Sequence, residues 1–252
     1  MKLTYLEIDR KRSVYHHVVA SHGLEFRDRL AMSWLYHDHA LEGIVVSPED
    51  IERARQGMPA RNYCDGVLLH SLRVMREAID FIHDSAEKDE QLSIDWLRDL
   101  HQRLSLDDSE SAGRYRKRDT SPGVYHLDVV PHTSISYHLH KFIDTYHDDL
   151  ASMHPVRRAA IAHWDFMRVF PFDHLTGVVG RLMANFVLLR HGYPPAIIHA
   201  TDRHLYFDAL KGRRTDVVPI VADAVRASIH ASHDYQSRFG VERSSRRTAL
   251  HG

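Results

Sequence analysis

Apolar residues recur at three- and four-residue spacing along most of the chain, which predicts amphipathic helices rather than strands. Leu24, Leu30, Trp34 and Leu41 mark a helix over residues 24–41, and Glu42-Gly43 ends it with a helix-stopping glycine. Ser47-Pro48-Glu49-Asp50 reads as an N-cap, a proline at the first helical position and acidic first-turn residues, so a second helix starts there. Leu68, Leu72, Met75, Ile79 and Ile82 share one face of a third, near residues 67–83. Ser93 caps a shorter helix carrying Ile94, Leu97, Leu100 and Leu104. Residues 107–113 are polar loop. Helices resume at about 135–150 and 156–169, then at 177–191 (closed by Gly192), and again at about 202–210 and 217–233. Between them, Ser121-Pro122-Gly123 followed by Val124, Tyr125, Val129 and Val130 predicts a short β-hairpin, the one β segment expected. The fold class is therefore all-α.

Composition narrows this picture without adding a chemistry. A chain of 252 residues, 43% apolar and 27% charged, has the balance of a soluble globular protein with one substantial core. A formal charge of −1 supplies no field to draw it onto nucleic acid or an anionic membrane, and the basic clusters at 114–118 and 243–247 read as solvated surface. No apolar stretch is long enough to span a bilayer, and the opening MKLTYLEIDRKR has no apolar region of the kind a secretory signal needs. Cys64 stands alone, which excludes an internal disulfide and fits a reducing compartment. A cytoplasmic protein is expected. No linker splits the chain, so it divides into an N-terminal segment (1–60), a core domain (61–235) and a flexible polar tail (236–252). Histidine is the outlier at 22 residues, but these are scattered rather than gathered in a metal-binding tract.

The chemistry concentrates in Phe170-Pro171-Phe172-Asp173-His174-Leu175-Thr176-Gly177-Val178-Val179-Gly180-Arg181. This stretch resembles the Fic (Fic/Doc) motif H-P-F-x-(D/E)-G-N-G-R-x-x-R, matching its proline, second aromatic, second glycine and last arginine. His163 and Phe166 fall where the family has H-x-x-F. Gly113-Arg114-Tyr115-Arg116 resembles G-x-Y-R, Gly192-Tyr193-Pro194-Pro195 resembles the end of the motif helix, and Tyr206-x-x-Ala209-Leu210 resembles a later Y-x-x-A-L. Leu41-Glu42-Gly43 resembles the inhibitory-helix motif (S/T)-x-x-x-E-(G/N), with Asp38 in place of the Ser/Thr. The resemblance runs from about residue 24 to about 235. It implies a Fic-type helical bundle, with residues 120–130 as the β-hairpin flap that registers a target peptide.

The resemblance also implies what has been lost. In the family the motif histidine is a general base, which needs a titratable lone pair; Phe170 has none. The carboxylate at the fifth position holds Mg²⁺, a hard cation that wants oxygen ligands, and here that position is His174, with Asp173 one residue earlier. Leu175 and Thr176 replace the Gly-Asn of the phosphate-binding nest, although Thr176 could cap a helix beginning at Gly177. Val178 replaces the first arginine, a phosphate clamp. Ordinary ATP-dependent AMP transfer is not expected.

Glu42 and Arg181 occupy the places of the family's inhibitory glutamate and last motif arginine, and an ion pair is expected between them. The candidate catalytic groups are His174, Glu42 and Asp173. The candidate substrate-binding groups are Arg181, Thr176, Gly177, Phe170, Phe172 and Tyr206. His37, His39 and His174, together with Asp173, could hold a transition metal, although side chains two apart on a helix point about 200° apart. Neither a cofactor nor a metal is identified, and the substrate, small molecule or protein, is left unknown. A homodimer stays open. Two functions follow: a divergent Fic-fold enzyme with different chemistry in the old pocket, or a catalytically silent Fic-fold binding or regulatory protein. AMP or other nucleotidyl transfer, and removal of AMP, rank behind both.

Overall fold

The computed structural model describes the backbone of residues 2–105 and 110–249, and the side chains of 5–105 and 110–238. The expected helices form. They are α1 (Lys2–Leu41), α2 (Pro48–Arg55), α3 (Tyr63–Glu87), α4 (Ile94–Leu104), α5 (Ile135–His147), α6 (Pro155–Val169), α7 (Thr176–Arg190), α8 (Arg203–Lys211) and α9 (Val217–Ala249). Their starts follow local chemistry. The Ser47 side chain accepts from the Asp50 amide while Asp50 accepts from the Ser47 amide, a reciprocal cap, and Pro48 occupies the first turn. Ser93 caps α4 through the Trp96 amide. At the other end, Gly43 and Gly192 take positive φ of 84° and 72° just past α1 and α7.

The core is built around α7. Every residue from Thr176 to Leu188 is buried, because α6 packs on one side of the helix and α3 on another, with α4 against it as well. A helix enclosed in this way needs no polar face, which is why its sequence shows little amphipathic stripe. α9 covers α6, and α1 runs along α9. The rings of Phe26 on α1 and Tyr235 on α9 meet at 5.1 Å.

Two elements extend past their expected limits. α1 starts at Lys2 rather than near residue 24, with a kink at His22 (φ −139°, ψ 25°) and with Ile8, Tyr15 and Val18 buried along it. α9 continues beyond His233 to Ala249. The flexible tail expected over 236–252 thus overlaps helical backbone to 249, and residues 250–252 lie outside the described residues. Part of the expected 107–113 loop also lies outside them. No described helix is long and apolar enough to cross a membrane.

The expected β-hairpin is absent: among the described residues 120–130 form turns and extended backbone with no strand. The backbone groups of this region bond elsewhere. Tyr125 and His126 amides close a turn onto the Pro122 carbonyl (3.1 and 2.7 Å), and the Val130 amide bonds the Arg168 carbonyl on α6 (3.1 Å). Just upstream the Arg116 amide bonds the Pro171 carbonyl (2.9 Å). The burial of Tyr125 and Leu127 is nonetheless close to complete. It serves to anchor a loop over the motif rather than to pair two strands.

Candidate functional site

The turn between α6 and α7 presents the motif. Phe170 ends α6 in the left-handed region (φ 46°, ψ 63°), and Leu175 precedes α7 in the same region (φ 62°, ψ 4°). Such a conformation costs a non-glycine residue about 1–2 kcal/mol, so something must hold the turn. Arg116 does much of this: buried at 2% exposure, it donates through Nε to the Phe170 carbonyl (2.8 Å). Thr176 closes the turn from within. Its hydroxyl donates to the Phe172 carbonyl (3.0 Å) and accepts from the Phe172 amide (3.1 Å). The helix therefore begins at Thr176, one residue earlier than expected, with Leu175 at the cap position and no side-chain cap. Thr176 is buried, with its hydroxyl engaged by the Phe172 main chain.

Phe172 is also a core residue. Its ring stacks on His101 at 3.9 Å and 7°. The Gly113 amide donates to Nδ1 of His101 (2.9 Å), so the ring proton sits on Nε2. Burial pushes the His101 pKa down to about 4, against a hydrogen bond to the His174 main chain that raises it. His163 lies on α6 with Nε2 2.8 Å from the Tyr206 hydroxyl, and burial together with Arg181 lowers its pKa to about 3. Tyr206, fully buried, is pushed up to about 12 by burial. His163 and Tyr206 form an internal pair, and Tyr206 reaches no open surface.

Arg181 is the charged centre of the site. It lies on α7 at 4% exposure and donates to both oxygens of Asp38, from Nε at 2.6 Å and from Nη2 at 2.9 Å. Nη2 also donates to Oε1 of Glu42 (2.7 Å), giving the expected ion pair between the end of α1 and the motif helix. Nη1 donates to the Tyr125 hydroxyl (2.9 Å), which in turn donates to Glu42 Oε1. Burial opposes the charge on Arg181, but Asp38, Tyr125 and Glu42 outweigh it and hold the guanidinium firmly protonated. Asp38, placed where the family motif has Ser or Thr, is the stronger partner, and neither it nor Tyr125 stood among the candidate residues. Only the offset of four from Glu42 hinted at Asp38, since the two lie one helical turn apart on α1.

Tyr125 closes the motif face. Its hydroxyl lies so near Gly177 that a Cβ there would fall well inside van der Waals contact with it. Its ring meets Phe170 at 6.1 Å and Phe207 at 5.0 Å, edge to face. Phe170 is itself buried at 7% exposure. The first turn of α7, an anion site by geometry in other proteins, is thus covered here by Tyr125 with the Glu42 carboxylate beside it.

On the other side of Glu42 a cavity of about 750 Å³ opens between α1, α3, α4 and the motif turn. Val67, Leu68, Val74, Met75, Leu104, Leu175 and Val178 supply apolar wall, and Asp38, His39, Glu42, His101 and His174 supply polar groups. The Glu42 side chain keeps 24% exposure. His174 is exposed and lines this cavity, whereas Asp173 is exposed at the turn but does not line it. Of the candidate residues, the structure brings Glu42 and His174 to one cavity. Phe170, Phe172, Thr176, Gly177 and Tyr206 are buried away from it, and Arg181 stands behind Glu42.

The four-residue metal set is not assembled. His39 bonds the Leu35 carbonyl through Nδ1 (2.8 Å) and the Ser71 hydroxyl through Nε2 (3.2 Å). His37 faces away, stacked on His199 at 4.2 Å with Nδ1 accepting from the Ala200 amide (3.2 Å). Among the described residues no three His, Cys, Asp or Glu side chains gather to hold a metal ion. The helical twist between positions 37 and 39 carries the two rings apart, as their spacing requires.

Residues 91–188 match the model of the Fic/DOC family. A protein adenylyltransferase Fic from Nematostella vectensis is 29% identical over 206 residues, covering 77% of this chain and 46% of that protein. One from Culex quinquefasciatus is 28% identical over 223 residues, covering 85% and 44%. The chain thus spans less than half the length of these curated relatives. Among solved structures, a single-substitution form of Fic-1 from C. elegans superposes with a TM-score of 0.79 at 25% identity, covering 97% of this chain and 73% of that one. A Fic domain containing signaling protein from Bacteroides thetaiotaomicron gives 0.75 at 20% identity, covering 90% and 97%. Family model, relatives and fold agree with the motif order along the sequence: residues 91–188 match a Fic/DOC family domain, and the chain shares the fold of Fic-domain structures.

Proposed function

We propose that this Fic-fold chain does not carry out the adenylyl transfer for which its relatives are named, and that it binds and acts on a small organic molecule in the cavity beside Glu42. The observation that carries this reading is the cavity itself, about 750 Å³, with apolar walls and with Glu42 and His174 on its lining. Glu42 and His174, a carboxylate and an imidazole, are the groups placed to move protons there.

The motif face supports the same conclusion from the other direction. Phe170 has no lone pair, Tyr125 covers the first turn of α7, and Arg181 is already bound to Asp38 and Glu42. Val178, at the place of a phosphate-clamping arginine, lines the apolar cavity instead. The donor set does not fit a Mg²⁺-nucleotide either, because the fifth motif position is an imidazole, a poor ligand for so hard a cation. No step through that metal is assigned. The inhibitory role that the resemblance gives to Glu42 has no nucleotide to act against here, and Glu42 is read as a wall of the working pocket.

A catalytically silent binding protein is the second reading. It is favoured by one observation: Phe170, Thr176, Tyr125 and Arg181 are all satisfied within the protein. Mass spectrometry of small molecules that co-purify with the chain tests both. A retained organic molecule, lost from Val74→Trp in which the cavity is filled, supports the cavity as the site; a nucleotide retained by both forms overturns it. A molecule recovered unchanged after long incubation, with no product, selects the silent protein over the enzyme.

A further inference from the structure

The walls of the cavity specify the charge of what enters it. Among the described residues no lysine or arginine lines it, while two carboxylates do, Asp38 and Glu42. The cation behind them is committed elsewhere. Arg181 spends its bidentate edge on Asp38, at 2.6 and 2.9 Å, and reaches Glu42 only through one further N–H on Nη2. One guanidinium facing two carboxylates leaves one formal negative charge in excess. That excess lies on Glu42, because Asp38 is matched atom for atom and buried, whereas Glu42 receives both its bonds on Oε1. Among the described residues Oε2 of Glu42 has no hydrogen bond, and its side chain is the more exposed of the two.

Neither His39 nor His101 compensates this charge. Both nitrogens of His39 are engaged, with Leu35 and Ser71. His101 accepts from the Gly113 amide and is neutral through most of the accessible range. An anionic ligand would have to sit against a carboxylate in largely apolar surroundings, where such an interaction is poorly screened. A neutral apolar molecule would leave Glu42 desolvated on one oxygen. An ammonium group on an apolar body satisfies both requirements: its N–H bonds go to Glu42 and its hydrocarbon covers Leu68, Val74, Met75 and Val178.

Resting on the cavity reading given above, we infer that the ligand class of this site is an organic amine with an apolar body, held as its cation by Glu42. The preference is opposite in sign to that of a nucleotide site, although the fold is shared.

The inference is tested with three probes of one skeleton: phenylpropylamine, phenylpropanol and phenylpropionate. Calorimetry gives the affinities. Cys64, the sole cysteine of the chain, lines the same cavity and is exposed, so protection of its thiol from alkylation reports where a probe sits. The amine is expected to bind about tenfold or more tighter than the alcohol, the gain of one charge-assisted hydrogen bond. The carboxylate is expected to bind weakest, and Glu42→Gln to erase the difference between amine and alcohol. Equal affinities for amine and alcohol, with Cys64 protected by both, overturn the inference while leaving the cavity as a binding site. Tightest binding by the carboxylate overturns it as well. Failure of all three probes to bind or to protect Cys64 overturns the cavity reading together with the inference.

Discussion

The hydroxyl of Tyr125 occupies the space that a side chain on residue 177 would need, so Gly177 is what allows the 120–131 segment to close over α7. The glycine is required by this contact and not by its own backbone, since Gly177 is not among the residues with positive φ. In return the Tyr125 hydroxyl reaches Arg181 and Glu42, and ties the loop, the end of α1 and the motif helix into one cluster.

The first prediction follows from that contact. Gly177→Ala must displace Tyr125 and break its bonds to Arg181 and Glu42, for a loss of about 2–3 kcal/mol in urea unfolding. Combined with Tyr125→Ala, the second substitution should cost little more than the first, giving a coupling of at least about 1 kcal/mol. Additive costs would mean that the two residues do not meet.

Asp38 and Glu42 should not be equivalent. Asp38→Ala strands a buried guanidinium and is expected to cost about 3–5 kcal/mol. Glu42→Ala leaves Arg181 matched by Asp38, and Glu42 is partly open to solvent, so its loss is expected near about 1 kcal/mol. Chemical unfolding of the two variants checks the order. An equal or reversed cost would show that Arg181 depends on Glu42 in a way the geometry does not provide.

Stability should fall in mild acid because of buried neutral histidines. Burial lowers the pKa of His101 to about 4 and of His163 to about 3, while an unfolded chain protonates both near the ordinary value. A group with a depressed folded pKa contributes stability above its unfolded pKa and loses it as pH falls. Between about pH 6 and pH 4 each is expected to remove about 1.4 kcal/mol per pH unit. Urea midpoints measured across that range give the slope, and His101→Gln should reduce it by one proton's share. A flat profile in the unaltered chain would contradict the neutral assignment.

Much of the helical frame is readable from the sequence because its signals are local. Ser47 with Asp50, Ser93 and Pro155 mark starts within one turn of themselves, and Gly43 and Gly192 mark ends in the same way. The β-hairpin failed as an expectation because the backbone bonds of residues 120–130 close a local turn at Pro122 and reach the Arg168 carbonyl on α6, not a second strand. Of the site, Glu42 with Arg181 was legible from the family resemblance. Asp38 and Tyr125 were not, because nothing in their own neighbourhoods signals a partner 143 or 56 residues away. Thr176 misled for a related reason: a threonine before a helix ordinarily caps it, but here the hydroxyl turns back to Phe172.

His174 should separate function from folding. It is exposed at the tip of the motif turn and lines the cavity. His174→Ala is expected to leave the melting temperature within about 2 °C, as for other exposed truncations. Turnover or retention of the cavity's ligand should fall about tenfold or more, the effect of one well-placed polar contact. Calorimetry with the ligand identified by co-purification reads this directly, and a variant with unchanged affinity and turnover would remove His174 from the site.

Whether the motif face has been given up is decided most directly by covalent incorporation of label from α-labelled ATP with Mg²⁺, into the chain itself and into proteins of a cell extract. No incorporation is expected from the unaltered chain, and none from Phe170→His, since Tyr125 still covers α7 and Val178 still replaces the phosphate clamp. Efficient labelling by the unaltered chain, or its appearance on restoring the histidine alone, would contradict the conclusion that the working site lies in the cavity beside Glu42.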